Sequence, residues 1–362
     1  MKILVAPLDW GLGHATRCVP VVREFLRQGA EVELAVVKQN ASLFREIFPE
    51  LRQRIAPGYN VVYPRHGFNM GLWLLKNSAH LNAVMRYERR YAQEMVERHG
   101  YDILFSDNRF AFHSPKAYSI YMTHQRRIAF PPALAAFEGV GIKWHAMQMK
   151  KFDEVWVPDL EQAPGYAGAL SHVDVASRPV TFVGALSRFS ETTSVVGTPA
   201  GTPLNVVAIV SGVEPARTQF ERQLREALAC IPGRHMMILG KPSAPQKRWT
   251  EGNIEFHNHL PTEEFKQAVL RANWVVSRGG YSTVMDMAVL GAKCIFVPTP
   301  GQYEQIVLAR ELSKAGYAVH IPADALNADS LADAFNADVK LHLPSQQNLL
   351  RDAVTRVLSA RK

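Results

Sequence analysis

The stretch Ser277–Gln305, SRGGYSTVMDMAVLGAKCIFVPTPGQYEQ, decides how this chain folds. Just before it, Trp274-Val275-Val276 reads as a buried strand. Arg278-Gly279-Gly280-Tyr281 makes a tight turn, and Ser282 or Thr283 can cap a helix whose apolar positions are Val284, Met285, Ala288 and Val289. Gly291 stops that helix, and Cys294 to Val297 forms the next buried strand. Pro298 and Pro300 then stiffen a loop that presents Gly301, Gln302, Glu304 and Gln305. The pattern is strand, helix, strand, with two polar loops on the carboxyl side of the strands. In an open α/β sheet, ligands bind on that side.

The two loops differ in chemistry. The first lets an anion approach main-chain N–H groups at a helix start, with Arg278 adding positive charge. The second offers side chains that bond neutral hydroxyls. A phosphate at one end and a polyhydroxylated group at the other describe a nucleotide sugar.

The 362 residues suffice for two ordinary α/β domains, and a hydrophobic fraction of 47% is normal for a full core. No apolar run is long enough to span a bilayer. The opening strand Lys2–Ala6 meets Pro7 and Asp9 too soon for a signal peptide. Cys18, Cys230 and Cys294 are far apart and form no metal-like cluster, so a reduced cytoplasm is the simplest location. A net charge of +8 suits an anionic substrate, an anionic membrane surface or a merely solvated basic surface. No nucleic-acid motif accompanies it.

Working outward, the first unit is strand Lys2–Ala6, loop Pro7–Gly13, a helix from about His14 to Gln28, and strand Glu31–Val37. Gly11 and Gly13 are half of a dinucleotide fingerprint. Thr16 replaces the third glycine and no acid follows the second strand, which argues against NAD or FAD. His14 at the helix mouth either bonds a carbonyl or contacts a ligand. Asp9 either caps the helix, orients His14 or serves as a base. Residues 66–76 are apolar and aromatic, with Trp73 and Leu74, and lead into a helix bearing Arg86, Arg89, Arg90 and Arg98. That composition suits a membrane surface; an ordinary amphipathic helix packed on the sheet accounts for it slightly better. Strands ending at Ser106 and Met122 deliver Asp107-Asn108-Arg109 and Thr123-His124-Gln125-Arg126-Arg127 to the same side. Asp107 and His124 are further candidate bases, or structural hydrogen-bonding groups. The arginines suit an anionic acceptor. Asp153–Asp159 reads as the last strand of this domain, and the chain crosses near Gly184–Ser190. The second domain opens with strand Leu204–Val210, and Ser211-Gly212 stands at the start of its first helix.

Ser277–Tyr281, Asp286 and Pro298–Gln305 resemble the donor-site motif of the MurG-like glycosyltransferases, family 28. The resemblance implies a GT-B α/β fold: two Rossmann-like, doubly wound domains facing across a cleft, with a C-terminal helix crossing back. On this chain that gives an acceptor domain over 1–183, a linker and mobile loop over 184–203, a donor domain over 204–345 and a final helix within 346–362. It implies transfer of a sugar, N-acetylglucosamine by default, from a UDP-sugar to an acceptor hydroxyl. The acceptor would be lipid-linked or a cell-envelope glycan, at the inner face of the cell membrane. Expected donor contacts are Gly13, Ser211, Gly212, Arg278, Gly279, Gly280, Tyr281, Ser282, Asp286, Gln302, Glu304 and Gln305, with Asp286 against the ribose and Glu304 and Gln305 on the sugar. Expected acceptor contacts are Asn108, Arg109, Gln125 and Arg126. The base is one of Asp9, His14, Asp107 and His124. Asp286 could instead close a capping box with Thr283. The loop before Glu304 is shorter than in MurG itself, so the sugar does not carry over. The chain contains no Asp-x-Asp, and no metal or cofactor is expected. A non-hydrolysing UDP-sugar epimerase and a non-catalytic nucleotide-sugar binder are the rival readings.

Overall fold

Short β-branched runs separated by amphipathic helices dictate parallel sheets covered on both faces. The computed structural model describes residues 1–9, 12–59, 70–130, 136–173, 178–190, 201–212, 214–241, 245, 247–341 and 348–361, with the backbone alone at 12, 39 and 70–78. In chain order the first elements are β1 (Lys2–Pro7), α1 (Leu12–Arg27), β2 (Glu31–Val36), α2 (Lys38–Ile47), β3 (Gln53–Ile55), α3 (Met70–His99), β4 (Ile103–Asp107), β5 (Tyr118–Met122), α4 (Glu138–Met149), β6 (Glu154–Val157) and β7 (Val180–Phe182). There follow β8 (Leu204–Ile209), α5 (Ala216–Ala229), β9 (His235–Ile238), β10 (Arg248–Glu251), β11 (Ile254–His257), α6 (Thr262–Leu270) and β12 (Ala272–Ser277). The chain ends with α7 (Tyr281–Leu290), β13 (Cys294–Phe296), α8 (Tyr303–Lys314), β14 (Val319–His320), α9 (Ala328–Ala334) and α10 (Leu349–Ser359).

The chain divides into two units. One holds Met1–Val62, Asn69–Arg188 and Ser345–Lys362; the other holds Phe189–Pro344. The first sheet runs β3-β2-β1-β4-β5-β6-β7, all parallel. The second runs β10-β11-β9-β8-β12-β13-β14, parallel except for edge strand β10. In both, the strand order reverses beside the first strand of the unit, which is where a doubly wound sheet opens its crevice. That point lies between β1 and β4, with Pro7 opposite Asp107, and between β8 and β12, with Ile209 opposite Ser277.

Each unit has its own core. In the first, Ile3, Val5, Phe25, Phe44, Phe105 and Trp156 meet between the sheet and its helices. Val354, Val357 and Leu358 of α10 are buried in the same cluster. The last helix therefore returns to the first unit, and Arg356 of α10 pairs with buried Glu154. In the second, Val206, Phe220, Leu224, Met237, Phe256 and Val276 form the center.

Several elements depart from the sequence reading. β6 is not the last strand of its sheet, because Val180–Phe182 pairs with it in parallel. Between the two, Asp159 gathers the irregular chain by accepting from the main-chain N–H groups of Leu160, Tyr166 and Ala167 and from the Ser171 hydroxyl. α1 begins at Leu12, so Gly13 and His14 belong to its first turn. The apolar run at 66–76 falls outside the described residues as far as 69, and beyond that only its helical backbone is described. Half of the expected linker and mobile loop, residues 191–200, is likewise outside them.

Arg109, read as an acceptor contact, is fully buried. Its Nε donates to Glu88 at 2.5 Å, its Nη1 to the Pro7 carbonyl at 3.2 Å, and its Nη2 to the Pro57 carbonyl. It ties α3 to the ends of β1 and β4, and with no exposed surface it is not presented to a ligand. Glu88→Ala strands this guanidinium and should lower the unfolding free energy by about 3–5 kcal/mol. Glu97→Ala, which breaks the exposed pair with Lys116, should cost less than about 1 kcal/mol. Urea denaturation of both variants checks the contrast.

Candidate active site

At the crevice of the first sheet four polar side chains converge. α1 places His14 and Arg17 one turn apart on one face, β4 ends in Asp107, and the segment after β5 carries His124. Asp107 is fully buried and Arg17 is 3% exposed. Arg17 Nε donates to both Asp107 oxygens at 3.0 Å, and its Nη2 also donates to Oδ1. Arg17 Nη1 lies 2.9 Å from His124 Nδ1 and Nη2 lies 2.9 Å from His14 Nδ1. His14 Nδ1 is also 3.0 Å from Asp107 Oδ2.

This geometry fixes protonation. Burial would push the Asp107 carboxyl up, but Arg17 and His14 hold it down at about 2. Burial and then Arg17 lower the pKa of His14, against the opposing pull of Asp107. His14 is therefore a neutral imidazole at neutral pH. His124 receives the Arg17 N–H on Nδ1, so its own proton sits on Nε2 and it is a donor. His14 has two tautomers open to it. With the proton on Nδ1 it donates to Asp107 and leaves the Nε2 lone pair free; with Nδ1 accepting from Arg17, Nε2 carries the proton. Among the described residues Nε2 makes no hydrogen bond.

The other residues named for this unit fare differently. Asp107, read as a base, is committed to Arg17 and His14 and serves to orient the ring. Asp9 Oδ2 accepts the Tyr59 main-chain N–H at 2.8 Å. Asn108 has a left-handed φ of 56° and accepts from the Tyr121 hydroxyl at 2.8 Å. Half-buried Gln125 reaches only 3.5 Å to His124, and Arg126 donates to the Ser171 carbonyl at 3.4 Å.

In the second unit, the turns after β8, β12 and β13 stand together. Gly212 has φ 107°, and a Cβ there would lie 3.7 Å from Thr299 Oγ1. Ser211 before it is half-buried. A Cβ on Gly279 would press on Phe296 at 3.4 Å, whereas none would touch anything at Gly280. Gly280, not Ser282 or Thr283, is the N-cap of α7, and no side chain caps it. The alternative reading of Asp286, a capping box with Thr283, fails because Thr283 is not the N-cap and already lies inside the first turn. The leading N–H groups of α7 thus have no intrahelical acceptor. Tyr281 is 3% and Asp286 9% exposed, while Ser282 is half-buried.

Arg278 was expected to face the ligand. It is instead buried, at 3% exposure, and lies 3.9 Å over the Phe220 ring. Its Nη1 donates to the carbonyls of Val297 and Pro298 at 2.9 and 2.8 Å, and its Nη2 to Ala216 at 3.1 Å. Burial brings its pKa down to about 10, so the charge persists at neutral pH. Gln305 Oε1 accepts the Thr299 N–H at 2.9 Å and its Nε2 donates to Gln302, which shapes the second loop from within. Glu304 and Gln302 are half-buried at the start of α8. Sequence reading missed Arg17 and Thr299. The i, i+3 spacing from His14 was the available signal for Arg17; nothing local marked Thr299.

Arg278→Lys keeps the charge but cannot serve three carbonyls from one fork. It should lower the melting temperature and loosen the loop at Pro298–Thr299, seen as faster amide exchange there. Melting and exchange equal to those of the native chain would show that the three bonds do not hold the turns.

Residues 241–351 match the glycosyltransferase family 28 C-terminal domain. An uncharacterized glycosyltransferase of Methanosarcina acetivorans is 25% identical over 340 residues, 88% of this chain and 82% of that one. The UDP-N-acetylglucosamine–N-acetylmuramyl-(pentapeptide) pyrophosphoryl-undecaprenol N-acetylglucosamine transferase of Methylorubrum extorquens is 41% identical over 149 residues, 37% of each chain. Among solved structures, SnogD of Streptomyces nogalater superposes with a TM-score of 0.65 at 13% identity over 99% of both chains. The calicheamicin glycosyltransferase CalG4 gives 0.63 at 15% identity over 99% of this chain and 94% of its own. The chain is a glycosyltransferase of GT-B fold whose residues 241–351 match the family 28 C-terminal domain.

Proposed function

We propose that the enzyme moves a sugar from a UDP-sugar to an acceptor hydroxyl in a single, inverting displacement. The observation that carries this is the Asp107–His14 pair with Nε2 of the ring unengaged. In the tautomer that donates Nδ1–H to Asp107, Nε2 takes the proton of the acceptor hydroxyl. The acceptor oxygen then bonds to the anomeric carbon as the bond to the diphosphate oxygen breaks and its electrons leave with UDP. The uncapped N–H groups of α7 suit the charge that develops there. The sequence offers no Asp-x-Asp to hold a metal, so the proposed step uses none. Asp286, Glu304, Gln302 and Gln305 are the proposed ribose and sugar contacts. N-acetylglucosamine and a lipid-linked acceptor are supported by the name of the Methylorubrum relative; the inner membrane face is proposed with them.

His14→Ala should reduce kcat by about 10²- to 10⁴-fold while thermal-shift binding of the UDP-sugar is retained. Because burial and Arg17 lower the His14 pKa below the usual histidine value of 6.5, the neutral base persists as pH falls to that value. The acid limb of kcat/KM should therefore lie below 6.5; a limb above that value rejects His14 as the base. A nucleotide-sugar panel read by melting temperature tests the donor, since a ligand of the folded state alone must raise it. Unchanged UDP-sugar affinity in both Asp286→Ala and Glu304→Ala would remove the donor assignment, and conversion of UDP-sugar without acceptor would point to an epimerase. EDTA should leave the rate unchanged.

A further inference from the structure

The first sheet has a second concave surface, on the edge opposite its crevice. An open groove of about 1230 Å³ lies where the chain enters β4, β5 and β6, bordered by Asp102, Ser114, Tyr118 and Asp153. Asp102 precedes β4 and Asp107 ends it, so the strand holds the groove roughly 16 Å from the crevice at about 3.3 Å per residue.

His113 distinguishes this groove from an ordinary surface hollow. It lines the groove yet is only 6% exposed, with its ring edge-on to Phe152 at 5.2 Å. Neither ring nitrogen has a hydrogen-bond partner among the described residues. Burial, then Arg89 and Lys151, bring its pKa down to about 4, so at neutral pH the ring is uncharged and offers one N–H and one lone pair. Buried polar groups are almost always bonded, and this one borders open space that a ligand can fill.

The charges beside it lack counterions. Arg89 on α3 makes no ion pair or hydrogen bond among the described residues. Lys151, after α4, donates to the neutral Gln148 side chain at 2.6 Å. Burial and then Arg89 lower the Lys151 pKa, so the neighbouring charge that acts on it has its own sign. Lys150 and Arg178 line the same groove, with Arg178 Nε donating to the Lys150 carbonyl at 3.1 Å. The groove's carboxylates are engaged: Asp102 accepts the Lys2 N–H, Asp153 accepts the Ser119 N–H, and Glu97 pairs with Lys116. Like charges held this close repel, and an anion set among them relieves the repulsion.

We propose that this groove binds a soluble phosphate ester, with one phosphoryl group held by Arg89, Lys151 and the His113 N–H and the rest of the ligand lying toward Arg178 and Arg361. Arg89 supplies a planar fork, Lys151 a point charge and His113 a neutral donor, which together match the several oxygens of a phosphoryl group. The volume lies above the roughly 300–1,000 Å³ of ordinary small-molecule sites, so the ligand is larger than inorganic phosphate. The groove belongs to the first unit alone, is separate from the His14 cluster, and does not depend on the identity of the donor.

The test uses the full chain and tripolyphosphate, a soluble probe with the same phosphoryl chemistry. Amide exchange with and without the probe locates the site: protection should rise at residues 112–118 and 150–153. Calorimetry should show binding that weakens as salt rises. Arg89→Ala with Lys151→Ala should weaken it about tenfold or more; both side chains are exposed, so the melting temperature should not change. Native protein that does not bind the probe, a variant that binds it like the native chain, or protection confined to the start of α7 would overturn the proposal. So would retention on anionic vesicles without binding of the free probe.

Discussion

The first unit turns on one buried ion pair. Arg17 and Asp107 are almost wholly removed from water, and two charges so placed are tolerable only when their remaining bonds are satisfied. Arg17 is therefore shared among three elements: it grips the end of β4, the first turn of α1 and the segment after β5. That sharing brings both histidines to one guanidinium and fixes His124 as an Nε2 donor, while His14, held between Arg17 and Asp107, keeps two tautomers. Losing either ion would leave the other buried and unpaired, so the geometry of His14 and the stability of the unit are one property.

The buried pair also explains how a histidine beside a carboxylate stays neutral. A lone aspartate would draw a proton onto the ring. Here the Arg17 charge offsets that pull, and burial tips the balance toward the uncharged imidazole. Asp107 is left to orient rather than to ionise its neighbour. Cys18, 3.7 Å from the same carboxylate, stays a thiol because burial comes first and Asp107 adds to it.

What the sequence made legible follows from the range of each interaction. Hydrophobic runs and glycine stops are local, so the strand–helix–strand pattern around Ser277–Gln305 could be read directly. The sequence also marked Asp107 and His124 as polar groups at strand ends and His14 as one at a helix mouth. Their division of labour was not local. It depends on Arg17, whose partners lie 90 and 107 positions away, and no window of sequence displays that. Arg109 misled for the same reason: it stands in a polar cluster at a strand end, yet Glu88, 21 positions earlier on α3, claims it. β7 was passed over because three residues carry too little periodicity, and only its pairing with β6 makes it a strand. The cap of α7 was misplaced because a glycine cap leaves no side-chain signal, whereas Ser282 and Thr283 advertise one.

The second unit uses its arginine in the opposite way. Arg278 has no carboxylate partner among the described residues; three carbonyls and the face of Phe220 hold it instead. Dipoles and a ring quadrupole spread a positive charge without cancelling it. A carboxylate in their place would neutralise the site, as Asp107 does for Arg17. Left uncancelled, the charge raises the potential in the turns it ties together, at Ala216, Val297 and Pro298. An anion arriving at the uncapped start of α7 would then meet main-chain N–H groups already biased in its favour. Arg278 would contribute to such binding through its field and through the rigidity of the loops. A buried arginine can thus serve an anion-binding motif through its field without presenting its fork to solvent.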